Sequence, residues 1–94
     1  MVIRAEKRGD LTFVYRPDVA VKAVYLVGSF NRWNPTEKRM VKVKDGSFRA
    51  KISLQQPGEY HYKFVVDGTW IEDPDSEWQA TKEDGMLNSF VTIA

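Results

Sequence analysis

Short apolar runs separated by turn signals organise this chain. Arg16-Pro17-Asp18, Asn34-Pro35, Asp45-Gly46, Pro57-Gly58, Asp67-Gly68 and Asp73-Pro74 cut it into segments too short for stable helices. Runs of that length between such breakers read as strands. The spacing predicts strands over 11–16, 21–28, 40–44, 47–54, 59–67, 69–72 and 88–93. About seven strands so distributed predict an all-β, immunoglobulin-like antiparallel β-sandwich.

Two of the breakers also predict register, because Asp-Gly between alternating strands favours a two-residue hairpin loop that sets every cross-strand pair. Counting outward from Asp45-Gly46 places Val43 opposite Phe48, Lys42 opposite Arg49 and Val41 opposite Ala50, with Phe48, Ala50, Ile52 and Leu54 as the buried stripe. Counting from Asp67-Gly68 pairs Val66 with Thr69, Val65 with Trp70, Phe64 with Ile71 and Lys63 with Glu72. Tyr60, Tyr62, Phe64 and Val66 then line the core, and His61, Lys63, Val65 and Trp70 share the outer face. A large aromatic beside a lysine on a solvent face is unusual. The segment 21–28 is apolar at both parities, as expected of a strand covered on two sides.

Two loops are longer than a hairpin needs. One, 29–39, contains Phe30, Asn31, Arg32 and Trp33; the other, 73–87, contains Trp78 and runs up to Asn88. Long loops on a small rigid scaffold are where function is usually carried.

Composition narrows the function. Ninety-four residues, 43% of them hydrophobic, suffice for a single domain spanning 1–94 with one modest core, and not for a separate catalytic lobe. Fourteen Lys and Arg against thirteen Asp and Glu give no basic field for nucleic acid. Without cysteine and with His61 as the one histidine, neither a disulfide nor a multi-histidine metal site is expected, and no cofactor is implied. Charges at Arg4, Glu6, Lys7 and Arg8 occupy the place of a signal's apolar stretch, and no apolar run is long enough to cross a bilayer, so a cytoplasmic location and no membrane partner are expected.

Three stretches carry a resemblance: Val24-Tyr25-Leu26-Val27-Gly28-Ser29-Phe30-Asn31-Arg32-Trp33, then Gly58 through Trp70 with its Tyr62-Lys63-Phe64 and Asp67-Gly68, then Asp73-Pro74 with Asn88-Ser89. In this order they resemble carbohydrate-binding module family 48, which includes the glycogen-binding domain of the AMP-activated protein kinase beta subunit and the amino-terminal domains of isoamylases and branching enzymes. The likeness runs from about Val21 to the end. It implies an early-set immunoglobulin-like sandwich that binds α-glucan, whether glycogen, a starch-like polymer or a maltooligosaccharide, without cleaving it. By the same resemblance Trp33 and Trp70 stack on sugar rings, Lys63 hydrogen-bonds their hydroxyls, and Asn88 matches the asparagine before the last strand. The hairpin count independently puts Lys63 and Trp70 on one face.

The sequence also departs from that pattern. Where kinase-subunit relatives place a leucine and a threonine at the sugar, this chain reads Glu83-Asp84-Gly85-Met86-Leu87, one residue longer. Met86 then offers apolar contact, and Trp78 is a candidate third platform.

Competing readings weigh differently on each residue. Trp33 or Trp70 packed down as structural cover would remove the site, and Lys63 opposite Glu72 is also read as a plain cross-strand ion pair. Catalysis would need a carboxylate pair, but Glu59, Asp67, Glu72, Asp73, Asp75, Glu77, Glu83 and Asp84 sit mostly in turns and an acidic loop, where solvent opposes the raised pKa of a general acid. The chain is therefore read as not an enzyme. The alternative function is a docking domain of a larger glucan-metabolising enzyme or kinase-type complex, since exposed tryptophans also anchor protein interfaces.

Overall fold

The computed structural model describes residues 2–4, 9–73, 78–80 and 87–93, the side chains of Arg4, 78–80 and 87–88 excepted. Ten strands are described: β1 (Val2–Arg4), β2 (Asp10–Tyr15), β3 (Val24–Gly28), β4 (Lys38–Arg39), β5 (Val41–Lys42), β6 (Phe48–Ser53), β7 (Gly58–Val66), β8 (Thr69–Ile71), β9 (Trp78–Ala80) and β10 (Leu87–Ile93). A short 3-10 turn, Ser29–Asn31, follows β3. One sheet has the order β1-β2-β6-β5, and the other β4-β3-β7-β10-β9 with β8 added beside β7. Every pairing is antiparallel. This is the two-sheet sandwich of the immunoglobulin type that the turn spacing predicts. No helix among the described residues is long and apolar enough to span a membrane.

Strand alternation builds the core. Leu11 and Phe13 from β2 and Phe48 and Ala50 from β6 meet Val24 and Leu26 from β3, Tyr62 and Phe64 from β7, and Val91 and Ile93 from β10. Aromatic edges lock the middle: Tyr62 stands edge-on to Phe13 with ring centroids 4.8 Å apart, and Phe64 lies 5.8 Å from Tyr62. Such pairs add to the stabilisation by burial alone.

Three strands escape the sequence reading, and each is only two or three residues long. β1 lies in the charged amino-terminal stretch, β4 lies at the end of the predicted loop 29–39, and β9 lies inside the predicted loop 73–87. Segments this short carry too little alternation to register as a pattern.

The Asp67-Gly68 hairpin has the expected register, with Val66 opposite Thr69, Val65 opposite Trp70 and Phe64 opposite Ile71; β8 then ends, so Lys63 and Glu72 lie outside the ladder. Asp67 also fastens the approach to β3, its carboxylate accepting from the backbone N–H groups of Lys22 and Ala23 at 2.9 Å each.

The Asp45-Gly46 hairpin differs by one residue. Val41 pairs with Arg49 and Lys42 with Phe48. The loop has three residues rather than two: the Val43 N–H donates to Ser47 O at 2.9 Å, and Gly46, at φ 87°, takes the left-handed position such a loop needs. A one-residue slip exchanges faces. Val41 and Val43, expected opposite core residues, are 65% and 36% exposed, while Phe48, Ala50 and Leu54 stay buried and Ile52 packs half-buried against them.

Asp45 stabilises that loop. Its Oδ1 accepts from the Ser47 hydroxyl at 2.6 Å and the Ser47 N–H at 2.9 Å. These bonds, helped by Arg16 and Arg49, hold its carboxyl pKa down to about 2 from an ordinary 3.8. Folding lowers this pKa, so the associated stabilisation is complete above pH about 4 and fades as pH falls toward 2. The difference in melting temperature between the wild-type chain and Asp45→Ala is expected to be constant near neutrality and to narrow across that window; a constant difference down to pH 2 would refute the coupling.

Candidate functional site

The long strand β7 organises the site. Tyr60, Tyr62, Phe64 and Val66 turn toward the core, leaving His61, Lys63 and Val65 on the outer face. On one flank β7 pairs with β3 along its length from Tyr62 to Val66. The other flank is shared: β10 pairs with Gly58 through Tyr62, β8 pairs with Phe64 through Val66, and Lys63 falls at the changeover. Across the outer face, Trp70 is opposite Val65, Val65 opposite Tyr25, and Tyr25 opposite Arg39. The next row along carries Lys63 opposite Val27.

Trp70 is 42% exposed, an unusual state for an indole. No ring contact among the described residues involves Trp70 or Trp33. Lys63 shares the face with Trp70, as the register reading expects, but it does not stand in open solvent: it is 3% exposed, beside Val27 at 0% and Val65 at 5%. Val27 lies opposite it on β3, so this strip of the outer face is covered as well as apolar. A lysine can lay its methylene stem along such a strip.

Trp33 is half-buried and is placed by a tightly built turn at the end of β3. The Asn31 side chain is the pin. Its Oδ1 accepts from the Gly28 N–H at 3.0 Å and its amide donates to Leu26 O at 3.2 Å, both bonds buried. The Trp33 N–H then donates to Gly28 O at 2.9 Å. Arg32 and Trp33 both sit in the left-handed region at φ 58°. That conformation costs on the order of 1 kcal/mol per non-glycine residue and persists only where surrounding bonds impose it. Phe30 turns the other way, packing on the core 5.8 Å from the Phe13 ring. The stretch Gly28-Ser29-Phe30-Asn31-Arg32-Trp33 thus divides into an inward anchor, a buried pin and a displayed indole.

Asn88 belongs to β10, next to Ser89, which is opposite Tyr62; Trp78 begins β9 and is itself opposite Ser89. The side chains of both lie outside the described part of the structure, and Met86 lies outside the described residues altogether.

One polar group escaped the sequence reading. The Tyr62 hydroxyl donates to Asp73 Oδ2 at 2.6 Å, and the Asp73 N–H donates to the Ser89 hydroxyl oxygen at 2.8 Å. Tyr62, Asp73 and Ser89 are each 0% exposed. The sequence signal was present in Asp73-Pro74, but a carboxylate before a proline reads first as a turn.

Comparison with known proteins places these features in context. Residues 11–94 match the family model described as the glycogen recognition site of AMP-activated protein kinase. The 5'-AMP-activated protein kinase subunit beta-1 of Homo sapiens is 39% identical over 80 residues, covering 85% of this chain and 28% of the subunit. The Sus scrofa beta-1 sequence gives 39% over 80 residues, covering 85% of this chain and 62% of its own length. The Mus musculus beta-2 subunit is 39% identical over 72 residues, with 77% and 25% covered. This chain therefore spans less than two thirds of these relatives. Among solved structures, the maltogenic amylase from S. marinus superposes with a TM-score of 0.71 over 94% of this chain and 14% of the amylase, at 23% identity, a likeness of fold.

Proposed function

Because the chain belongs to the family of the glycogen recognition site of AMP-activated protein kinase, we propose that it binds α-linked glucan and leaves it uncleaved. The observation that carries this reading is Trp70, 42% exposed on the β7–β8 hairpin, one row from Lys63 on the same face. A glucose ring presents C–H faces rimmed by hydroxyls, and an indole offers a flat apolar surface with a negative quadrupole to meet them. Trp70 and Trp33 are the stacking platforms. Lys63 donates to hydroxyls from the edge of its apolar strip, and Asn88 supplies a donor and an acceptor at the start of β10. Trp78 and Met86 are the subsidiary contacts. The fold forms one self-contained domain for this purpose, and no cofactor takes part.

Covering roughly 100 Å² of apolar surface per tryptophan is worth about 2.5 kcal/mol, so two platforms supply about 5 kcal/mol before ordering costs. That corresponds to dissociation constants of about a millimolar or somewhat tighter for a short oligosaccharide. Branched polymers, offering many sites on one molecule, are held more firmly.

A second reading, docking onto a larger glucan-metabolising enzyme or a kinase-type complex, draws on the exposed Val41 of the other sheet, on Val43 just beyond that strand and on the relatives being kinase subunits. Titration with maltoheptaose and with a β-linked glucan, following tryptophan fluorescence, separates the two. Saturable quenching by maltoheptaose alone is the expected result. Silence toward both sugars, together with capture of a stoichiometric partner that survives excess maltoheptaose, would leave docking in its place.

A further inference from the structure

We propose that the buried Tyr62–Asp73–Ser89 clasp is a positioning device for glucan binding, fixing β8 and β10 against β7 so that the sugar-contacting residues they carry are set before the ligand arrives. This rests on the glucan-binding reading above.

The need for such a device follows from the sheet. β8 and β10 run one after the other along the same flank of β7, and no ladder joins them. β8, which carries Trp70, has three residues and would by itself be held by one hairpin. Asp73, two residues beyond the end of β8, bridges the break. Through Tyr62 Oη it is tied to β7 at 2.6 Å, and through its own N–H it is tied to β10 at 2.8 Å. The first bond, from a phenol to a carboxylate, is of the short charge-assisted kind.

A carboxylate is a costly choice for this place. Apolar residues of similar volume often serve a core as well as buried charge does, or better. What the carboxylate adds is direction, because its bond sets the β8 exit against Tyr62 while the backbone N–H of the same residue reaches Ser89. A binding surface whose parts are already placed loses less freedom when it meets its ligand.

Tyr62→Phe removes one hydroxyl and keeps the ring that packs edge-on to Phe13 and Phe64. In the full chain, well below its melting temperature, maltoheptaose is expected to bind roughly fivefold or more weakly. Amide hydrogen exchange at Asp73, Trp70 and Ile71 is expected to speed up while the β3–β7 ladder keeps its protection. Asp73→Asn, which retains an acceptor oxygen for Tyr62, is expected to hold most of the affinity that Asp73→Ala loses; a merely space-filling role would not separate the two. If Tyr62→Phe does not fold, Ser89→Ala carries the same comparison by removing only the acceptor of the Asp73 N–H. Wild-type affinity in a folded clasp variant, with unchanged exchange around Asp73 and β8, overturns the inference. A wild-type chain that ignores maltoheptaose brings down the glucan reading instead, and hydrogen exchange then decides the clasp by itself.

Discussion

Trp70→Ala is expected to abolish the retardation of this chain in a glycogen-containing native gel while shifting its melting temperature by no more than a few degrees. The two halves of that outcome come from one number. At 42% exposure, the indole gives the core little, and surface substitutions of this kind usually change stability by well under about 1 kcal/mol. Toward a sugar the same ring offers one whole platform. Removing it forfeits about 2.5 kcal/mol of contact, a roughly 70-fold loss that takes an already weak interaction out of the measurable range. Tight retention by the variant would move the sugar elsewhere on the surface. Unfolding by the variant would make Trp70 part of the scaffold.

Gly28→Ala is expected to do the reverse, striking stability first and binding as a consequence. Gly28 is extended, at φ −177°, so its backbone angles suit any residue. Space is the obstacle. A Cβ here would lie 2.5 Å from the His61 carbonyl oxygen and 2.6 Å from the Phe30 ring. The first neighbour is backbone of the adjoining strand, and the second is the anchor of the Trp33 turn. Forcing a methyl into so tight a site costs about 3 kcal/mol, near the upper end for overpacking, and lowers the melting temperature of a domain this size by roughly 15 °C. Gly46→Ala is the matching control: nothing lies within 4 Å of its Cβ, but its φ of 87° disfavours a side chain, so it is expected to cost only about 1 kcal/mol. Equal effects at the two glycines would contradict this account.

Legibility from sequence depended on how local each feature was. The Asp67-Gly68 hairpin could be counted correctly because its loop and register are set by two adjacent residues. The Asp45-Gly46 hairpin looked the same in letters, yet Ser47 bonding back to Asp45 favours a three-residue loop, and Val41 and Val43 moved to the outside. Trp33, Lys63 and Trp70 stood out as candidates because aromatic and charged side chains in a β-rich frame are conspicuous. Their burial was not, since the 3% exposure of Lys63 depends on cover over β3 and β7 that alternation within one strand cannot report. Asn31 and Asp73 were visible as residue types but not as pins, because their partners lie on backbone or on strands remote in sequence.

The shared flank of β7 also bears on how this scaffold can diversify. Its neighbours β8 and β10, three and seven residues long, are each aligned on β7 by their own ladder. A change of chain length between them, outside Asp73 and β9, can therefore leave both registers on β7 as they are. The framework can thus vary in this one place while Trp70 and the last strand keep their alignment.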